Sequence, residues 1–294
     1  MGYEWLALIA AALWASTSLI SVTPARHLGA FSYSRWRMAI VSTILATISL
    51  MSGGWHTLSA EDIAWLAISG GIGIFIGDTA LFACMNRMGP RRANLLFTCN
   101  ALFSVLFGIV FFNEQILGWQ LLGAVLLFIG VALAILFGRR ARTHLWESIH
   151  GSLMIAIGLG LLAALCQSLG AVLAKPAMQG SADPISASLV RMSCALLCHL
   201  LLWWQYPRLS RSQNPINRRI FSLVFANGFL AMAVGMTLIL YALRKGDVGM
   251  IALLSATTPI MILPMLWFYT KEAPTRSAWA AAALTVIGSG LLLG

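Results

Sequence analysis

Charge is what this 294-residue sequence has least of. Only 10% of its residues are Asp, Glu, Lys or Arg, while 60% are hydrophobic; an ordinary soluble domain is roughly a quarter charged. A soluble core of this size needs a charged coat that the chain does not supply, which excludes an ordinary soluble fold. Carboxylates are the scarcest group, 9 Asp+Glu against 19 Lys+Arg for a net charge of +10. In a soluble protein that excess would point to nucleic acid. Here the basic residues lie in short breaks between long apolar runs, so the expected partner is the lipid bilayer and not nucleic acid. Cysteine is also sparse. Cys84, Cys99, Cys166, Cys194 and Cys198 are odd in number and lie inside apolar segments, which argues against a disulfide framework and against a zinc site. There is no phosphate-cradling glycine loop with Lys-Ser/Thr, so ATP-driven pumping has no support. No Ser/His/Asp or paired-carboxylate constellation points to an enzyme, and no cofactor or metal is expected.

What the chain does have is apolar length. A membrane-spanning helix needs about 20 mostly apolar residues. Ten such runs can be traced, at 5–23, 31–52, 62–85, 93–112, 115–137, 151–174, 184–205, 219–243, 248–269 and 276–293. They lack period-two alternation, which excludes a transmembrane β-barrel. The first run has no basic region before it, only Glu4, and reads as a retained helix rather than a signal peptide. The expected fold is therefore all-α and polytopic, with ten transmembrane helices.

With ten spans, the odd-numbered loops share one face, and the even loops and both termini share the other. Fourteen basic residues fall in the odd loops (among them Arg26, Arg87, Arg139, Arg140 and Arg208), against Lys175, Arg244 and Lys245 on the other face. The positive-inside bias puts the odd loops in the cytoplasm and both termini outside.

The second half repeats the first. Residues 77–135 align with 235–293 without a gap at an offset of 158, so that Gly77 meets Gly235, Asn100 meets Thr258, Glu114 meets Glu272 and Gly130 meets Gly288. Earlier, Pro24-Ala25 matches Pro176-Ala177 and Arg37-Met38 matches Arg191-Met192. The division expected is a first five-helix repeat at 1–138, a basic linker at 139–150 and a second repeat at 151–294. Five is odd, so the two copies enter the membrane in opposite directions. Inverted repeats serve alternating access around a site near the midplane.

Two five-span repeats, a Gly-containing hinge in each (Arg87-Met88-Gly89-Pro90 and Lys245-Gly246-Asp247-Val248), a Glu after the next span (Glu114, Glu272) and a following span with Gly130 or Gly288 resemble the drug/metabolite transporter superfamily, EamA type. The resemblance covers essentially the whole chain. It implies a ten-helix secondary transporter, often an exporter of amino acids or other small metabolites, in a bacterial inner membrane. Family members often carry Lys near the end of the first helix of each repeat; Lys175 fits, whereas Thr23 stands in the other place.

An ionisable group inside a span needs a partner or a water-filled cavity. Asp78, in the third span, reads as a proton-coupling carboxylate or a counter-ion, with Met236 as its repeat counterpart and Arg37 as its expected partner. Arg37 and Arg191 are candidates for a carboxylate fork or a gate. By shared face, Glu114 is expected to pair with Arg191 and Glu272 with Arg37, closing alternate gates. Each of these charges has a plainer reading, snorkelling or a helix-end charge. The expected substrate lining is Trp14, Ser16, Thr17, Asp78, Asn100, Gln167, Asn227, Tyr241, Thr257 and Thr258. Many of these polar groups also serve simply as helix-to-helix hydrogen bonds. The functions that follow are an alternating-access carrier that exports a small polar metabolite, amino-acid-like or drug-like, with proton coupling or by facilitated diffusion; a carrier or flippase of a lipid-linked or amphipathic molecule; and a non-transporting scaffold or receptor.

Overall fold

The structure, a computed structural model, describes all residues except 1–2, 89, 116–117, 138–150, 259, 262–263, 266–275 and 294. The described residues form helices and no strand. Those of eight residues or more are α1 (Trp5–Leu28), α2 (Ala30–Ser52), α3 (Ala60–Met88), α4 (Pro90–Phe97), α5 (Cys99–Phe112), α6 (Trp119–Phe137), α7 (Leu153–Gln179), α8 (Pro184–Gln205), α9 (Arg218–Leu243), α10 (Val248–Ser255) and α11 (Arg276–Leu293). Helices α3, α7, α8 and α9 are each long and apolar enough to cross a membrane; α1 is a fifth when its two arms are taken as one span. The chain is an all-α polytopic membrane protein.

Most helix ends fall within a few residues of the expected runs. The fourth run differs. It is split into α4 and α5 by a turn at Thr98 that no proline marks. The ninth run breaks likewise at Ala256–Thr257, 158 residues on. Helix α1 bends by 56° between its arms Trp5–Ser18 and Ile20–Leu28. Two causes converge there. Pro24 has no N–H for the carbonyl one turn earlier, and Ser16, Thr17, Ser18 and Ser21 all bond back to carbonyls of their own helix, a habit that bends helices.

The repeat is visible in the packing. Helix α3 contains a π-helical stretch, Gly70–Ile76, and α9 contains another, Gly228–Met236, starting 158 residues later. Gly70 packs on the Arg191 backbone, and Gly228 packs on Arg37, the aligned residue. Helices α6 and α11 face each other reciprocally. A methyl added at Gly130 would run into Thr285 and the Ala281 carbonyl, and one at Gly288 would lie 2.6 Å from the Gly123 carbonyl and the Leu127 nitrogen. Residues 123 and 281, and 127 and 285, are again 158 apart. Such self-complementary contacts are the mark of a two-fold relation.

Loop contacts sort by parity. On the odd face, Gln213 N–H donates to the Leu28 carbonyl at 3.1 Å and Asn214 Nδ2 to the His27 carbonyl at 2.9 Å, tying the seventh loop under the first. On the even face, Asp183 N–H donates to Thr57 Oγ1 at 2.8 Å, tying the sixth loop to the second. Helices α2 and α8 pack along the line joining the two ties.

Candidate functional site

A cavity of about 130 Å³ lies between the halves. Its walls come from α1, α2, α3, α7 and α9 and from the broken fourth and ninth runs. It extends to Ser21, Met85 and Asn94, which lie towards the odd loops. A second space of about 20 Å³ continues towards the even face, past Ser104, Ala171 and Leu243. Trp14, Asn100, Gln167 and Ser255 border both spaces and form the neck between them.

Arg37 and Asp78 sit together in the wall of the larger cavity as a buried ion pair. Arg37 also donates from Nη1 to Asn227 Oδ1 at 3.3 Å, and Asn227 Nδ2 donates to the Thr17 carbonyl at 3.2 Å. The guanidinium lies 4.7 Å from the Phe82 ring centre and 5.4 Å from that of Tyr33. These two rings meet edge to face at 4.7 Å, so the cation is held on two aromatic faces. Gly228 leaves room for its stem; a Cβ there would stand 3.4 Å from Arg37 Cγ. Trp14 spans from α1 to α9, its indole N–H donating to the Ala231 carbonyl at 2.8 Å. That carbonyl lies in the π-helical stretch, where the regular ladder is interrupted. Gly235 makes space for the ring, since a Cβ there would lie 2.9 Å from Trp14 Nε1.

Of the residues expected to line a site, Trp14, Thr17, Asp78, Asn100, Gln167, Asn227 and Thr258 border the larger cavity. Asn100 Nδ2 bonds the Phe97 carbonyl at 2.8 Å, and Thr258 Oγ1 bonds the Ser255 carbonyl at 2.8 Å, the same arrangement at the aligned positions. Gln167 has no protein hydrogen bond among the described residues and borders both spaces. Ser16 lies elsewhere, its hydroxyl bonded to the Ala12 carbonyl and near Met265 Sδ. Thr257 is buried on the Leu254 carbonyl, and Tyr241 packs against the main core. The sequence reading did not single out Leu81, Phe82 and Met85. They follow Asp78 at three, four and seven residues, the spacing of one helix face.

Glu114 has a different partner from the one expected. Lys175 Nζ donates to its Oε1 at 2.5 Å, and the N–H groups of Val248 and Gly249 donate to Oε1 and Oε2 at 2.8 and 3.1 Å. The carboxylate thus caps the start of α10, where the helix dipole also favours it. Asn113, in the left-handed conformation at φ 51°, turns the chain so that Glu114 folds back over Gly108. Arg191 shares the even half of the molecule but is occupied with α3, under Gly70; Lys175, at the end of α7, is nearer. Asp247 stands 4.0 Å from Lys175 at the rim. Burial pushes its carboxyl up from the usual range and Glu114 adds to this, while Lys175 pulls it down. Glu272, expected to pair with Arg37, lies outside the described residues.

The fold and the site together define a polytopic membrane protein with a partly polar cavity between its halves. The comparisons sharpen that class. The model of the EamA-like transporter family matches residues 1–136 and again 154–294, and the chain belongs to that family. It is a family of membrane transporters in the drug/metabolite transporter superfamily. A solved crystal structure of a protein superposes with a TM-score of 0.78, covering 98% of this chain and 95% of its own at 18% identity; it establishes the shared fold. No match was found among curated proteins.

Proposed function

We propose that this chain is a secondary active transporter that moves a small polar metabolite, amino-acid-like or drug-like, by alternating access. The observation that carries the reading is the cavity between the halves. It extends towards the odd loops and narrows at Trp14 and Gln167, and at the even end Glu114 ties Lys175 to the start of α10. Two repeats, 1–138 and 151–294, joined by the linker 139–150, would exchange conformations and reverse that asymmetry. The basic odd loops favour a cytoplasmic odd face in a bacterial inner membrane. The conformation described here is then open to the cytoplasm, the loading state of an exporter. Asp78 is the candidate proton carrier, because protonation would release Arg37 and with it Asn227 and α1.

The test is comparative metabolite profiling. Wild type and Asp78→Asn are produced at matched membrane levels, and small molecules in medium and cytosol are compared with those of empty cells. The reading expects a compound enriched outside with the wild type and much less with Asp78→Asn. Equal enrichment with both would keep transport and remove Asp78 from the coupling. Reconstituted protein that exchanges no compound from a broad metabolite extract would overturn the carrier reading.

A further inference from the structure

Among the described residues three cations and two carboxylates are buried: Arg37, Lys175 and Arg191 against Asp78 and Glu114. Arg37 is paired with Asp78 and Lys175 with Glu114. One positive charge is in excess: Arg191 feels the Asp78 carboxylate, but that group is already paired with Arg37. The Arg191 side chain is 1% exposed, forms no ion pair among the described residues, and has an Nε without a hydrogen-bond partner. It lies along the glycine seam of α3 and α7, with a terminal nitrogen 3.5 Å from where a Cβ of Gly73 would stand and 3.4 Å from that of Gly170. An unpaired cation sealed in a membrane protein is among the costliest groups a fold can carry. A residue kept at that cost has a counter-charge at some stage.

The repeat shows where that counter-charge belongs. Arg191 aligns with Arg37, and both are packed by aligned glycines, Gly70 and Gly228. Arg37 forms part of the cavity wall and faces Asp78. The residue aligned with Asp78 is Met236, which also borders the cavity. The second half therefore has the cation of the pair without its carboxylate. If the halves exchange conformations, Arg191 takes the place in the wall that Arg37 holds now, with a methionine where Arg37 has an aspartate. This step rests on the alternating-access reading above.

We propose that the substrate supplies the missing charge: the transported species is a small organic anion whose carboxylate pairs with Arg191 when the cavity opens to the even face. A guanidinium matches a carboxylate with two parallel hydrogen bonds. Phe82, Phe97, Met85, Met232 and Met236 offer the carbon skeleton an apolar surface on the remaining walls. In the odd-open state Arg37 is already neutralised by Asp78, so the anion is held there by neutral amides and hydroxyls and leaves or enters more easily. The anion site is thus stronger on one side of the cycle than on the other.

The test uses three ring compounds of the same shape and different charge: benzoate, benzyl alcohol and benzylamine, at equal concentration and ionic strength. Binding to the purified full chain is read from the rise in unfolding temperature with concentration. Benzoate is expected to bind about tenfold tighter than benzyl alcohol, the effect of a charge-assisted pair, and benzylamine to bind weakest. Arg191→Gln should abolish the preference for benzoate. Met236→Asp should do the same by giving Arg191 an internal partner, and should leave the unliganded protein at least as stable as wild type. If that variant does not fold, Arg191→Gln alone decides. A preference for benzylamine, equal binding of all three, no shift with benzoate, or an undiminished benzoate shift in Arg191→Gln would overturn the proposal. None of these results touches transport itself. A flux found by metabolite profiling without anion preference here removes the anion and keeps the carrier; anion preference without flux leaves an anion site at Arg191 and overturns both the carrier reading and the claim that the anion is transported.

Discussion

Lys175→Met should open the even end of the molecule. The substitution keeps the length and apolar stem of the side chain and removes only its charge. Taking one partner from a buried ion pair costs about 3–5 kcal/mol. Part of that cost is offset, because Glu114 keeps its bonds from Val248 and Gly249 N–H, and hydrogen bonds to a charged group contribute about 1.5–3 kcal/mol each. The net loss from the closed state should then be about 2 kcal/mol, or about 30-fold in the ratio of closed to open molecules. A cysteine at Ala171, in the small space behind the seal, reports on this once Cys84, Cys99, Cys166, Cys194 and Cys198 are replaced. Its reaction rate with a membrane-impermeant maleimide applied from the even side should be low with Lys175 present and rise more than tenfold in Lys175→Met. Adding Glu114→Gln should lower it again, since the carboxylate stranded by the first change is then neutral; interacting neighbours give such non-additive cycles. An Ala171→Cys that reacts equally with and without Lys175, or strictly additive effects of the two substitutions, would refute the idea that this pair holds the even end shut.

Further outcomes follow from the same geometry. Asp247, whose carboxyl is pushed up by burial and by Glu114 in the closed end, binds its proton more tightly there than when solvated. The closed end should therefore tighten as pH falls through the raised pKa towards the ordinary carboxylate range; Asp247→Asn should flatten that dependence in the same maleimide assay. Gly70→Ala should be severely destabilising, because its methyl would overlap the Arg191 backbone, whereas Gly71→Ala meets nothing within 4 Å and should leave the unfolding temperature nearly unchanged. Gly130→Val and Gly288→Val should each cost about 1–3 kcal/mol through overpacking of α6 against α11; thermal unfolding should show similar losses for both, as the reciprocal contact requires. Gln167→Leu, at the neck and without a hydrogen bond among the described residues, should lower flux of the substrate several-fold without lowering the unfolding temperature.

Depth in the membrane was legible in the sequence, and rotation about each helix axis was not. The apolar runs placed Asp78 and Arg37 at similar depth, and the structure brings them into contact. The same reasoning placed Ser16 beside Thr17 and Thr257 beside Thr258, yet adjacent residues on a helix point about 100° apart, and only Thr17 and Thr258 reach the cavity. Rotation is set by which glycine and alanine faces pack, and no single span contains that information. The Glu114 partner was missed for a related reason. The charge pattern leaves Arg191 and Lys175 both available to Glu114, and only the packing of α7 against α5 shows that Lys175 is the partner. The break at Thr98 left no local mark at all; only its alignment with the proline-flanked break at Ala256 would have shown it. The glycine groups at 70–77 and 228–235 were visible, and packing accounts for them, but their π-helical winding arises from tertiary contacts.

That winding has a mechanical consequence. A π-helical turn holds one residue more than an α-helical turn, so each of the two stretches acts like a dislocation in a crystal, an extra row that lets material slip one step at a time instead of shearing all at once. Returning one such turn to α geometry rotates the helix beyond it by about 100° relative to the part before it. In α3 the part beyond carries Asp78, and the part before carries Ser69, anchored by its hydroxyl to the Gly170 carbonyl. The carboxylate can then be swung away from Arg37 together with the rest of α3 beyond the stretch, while the part before it stays anchored, and α9 has the same defect at the aligned place.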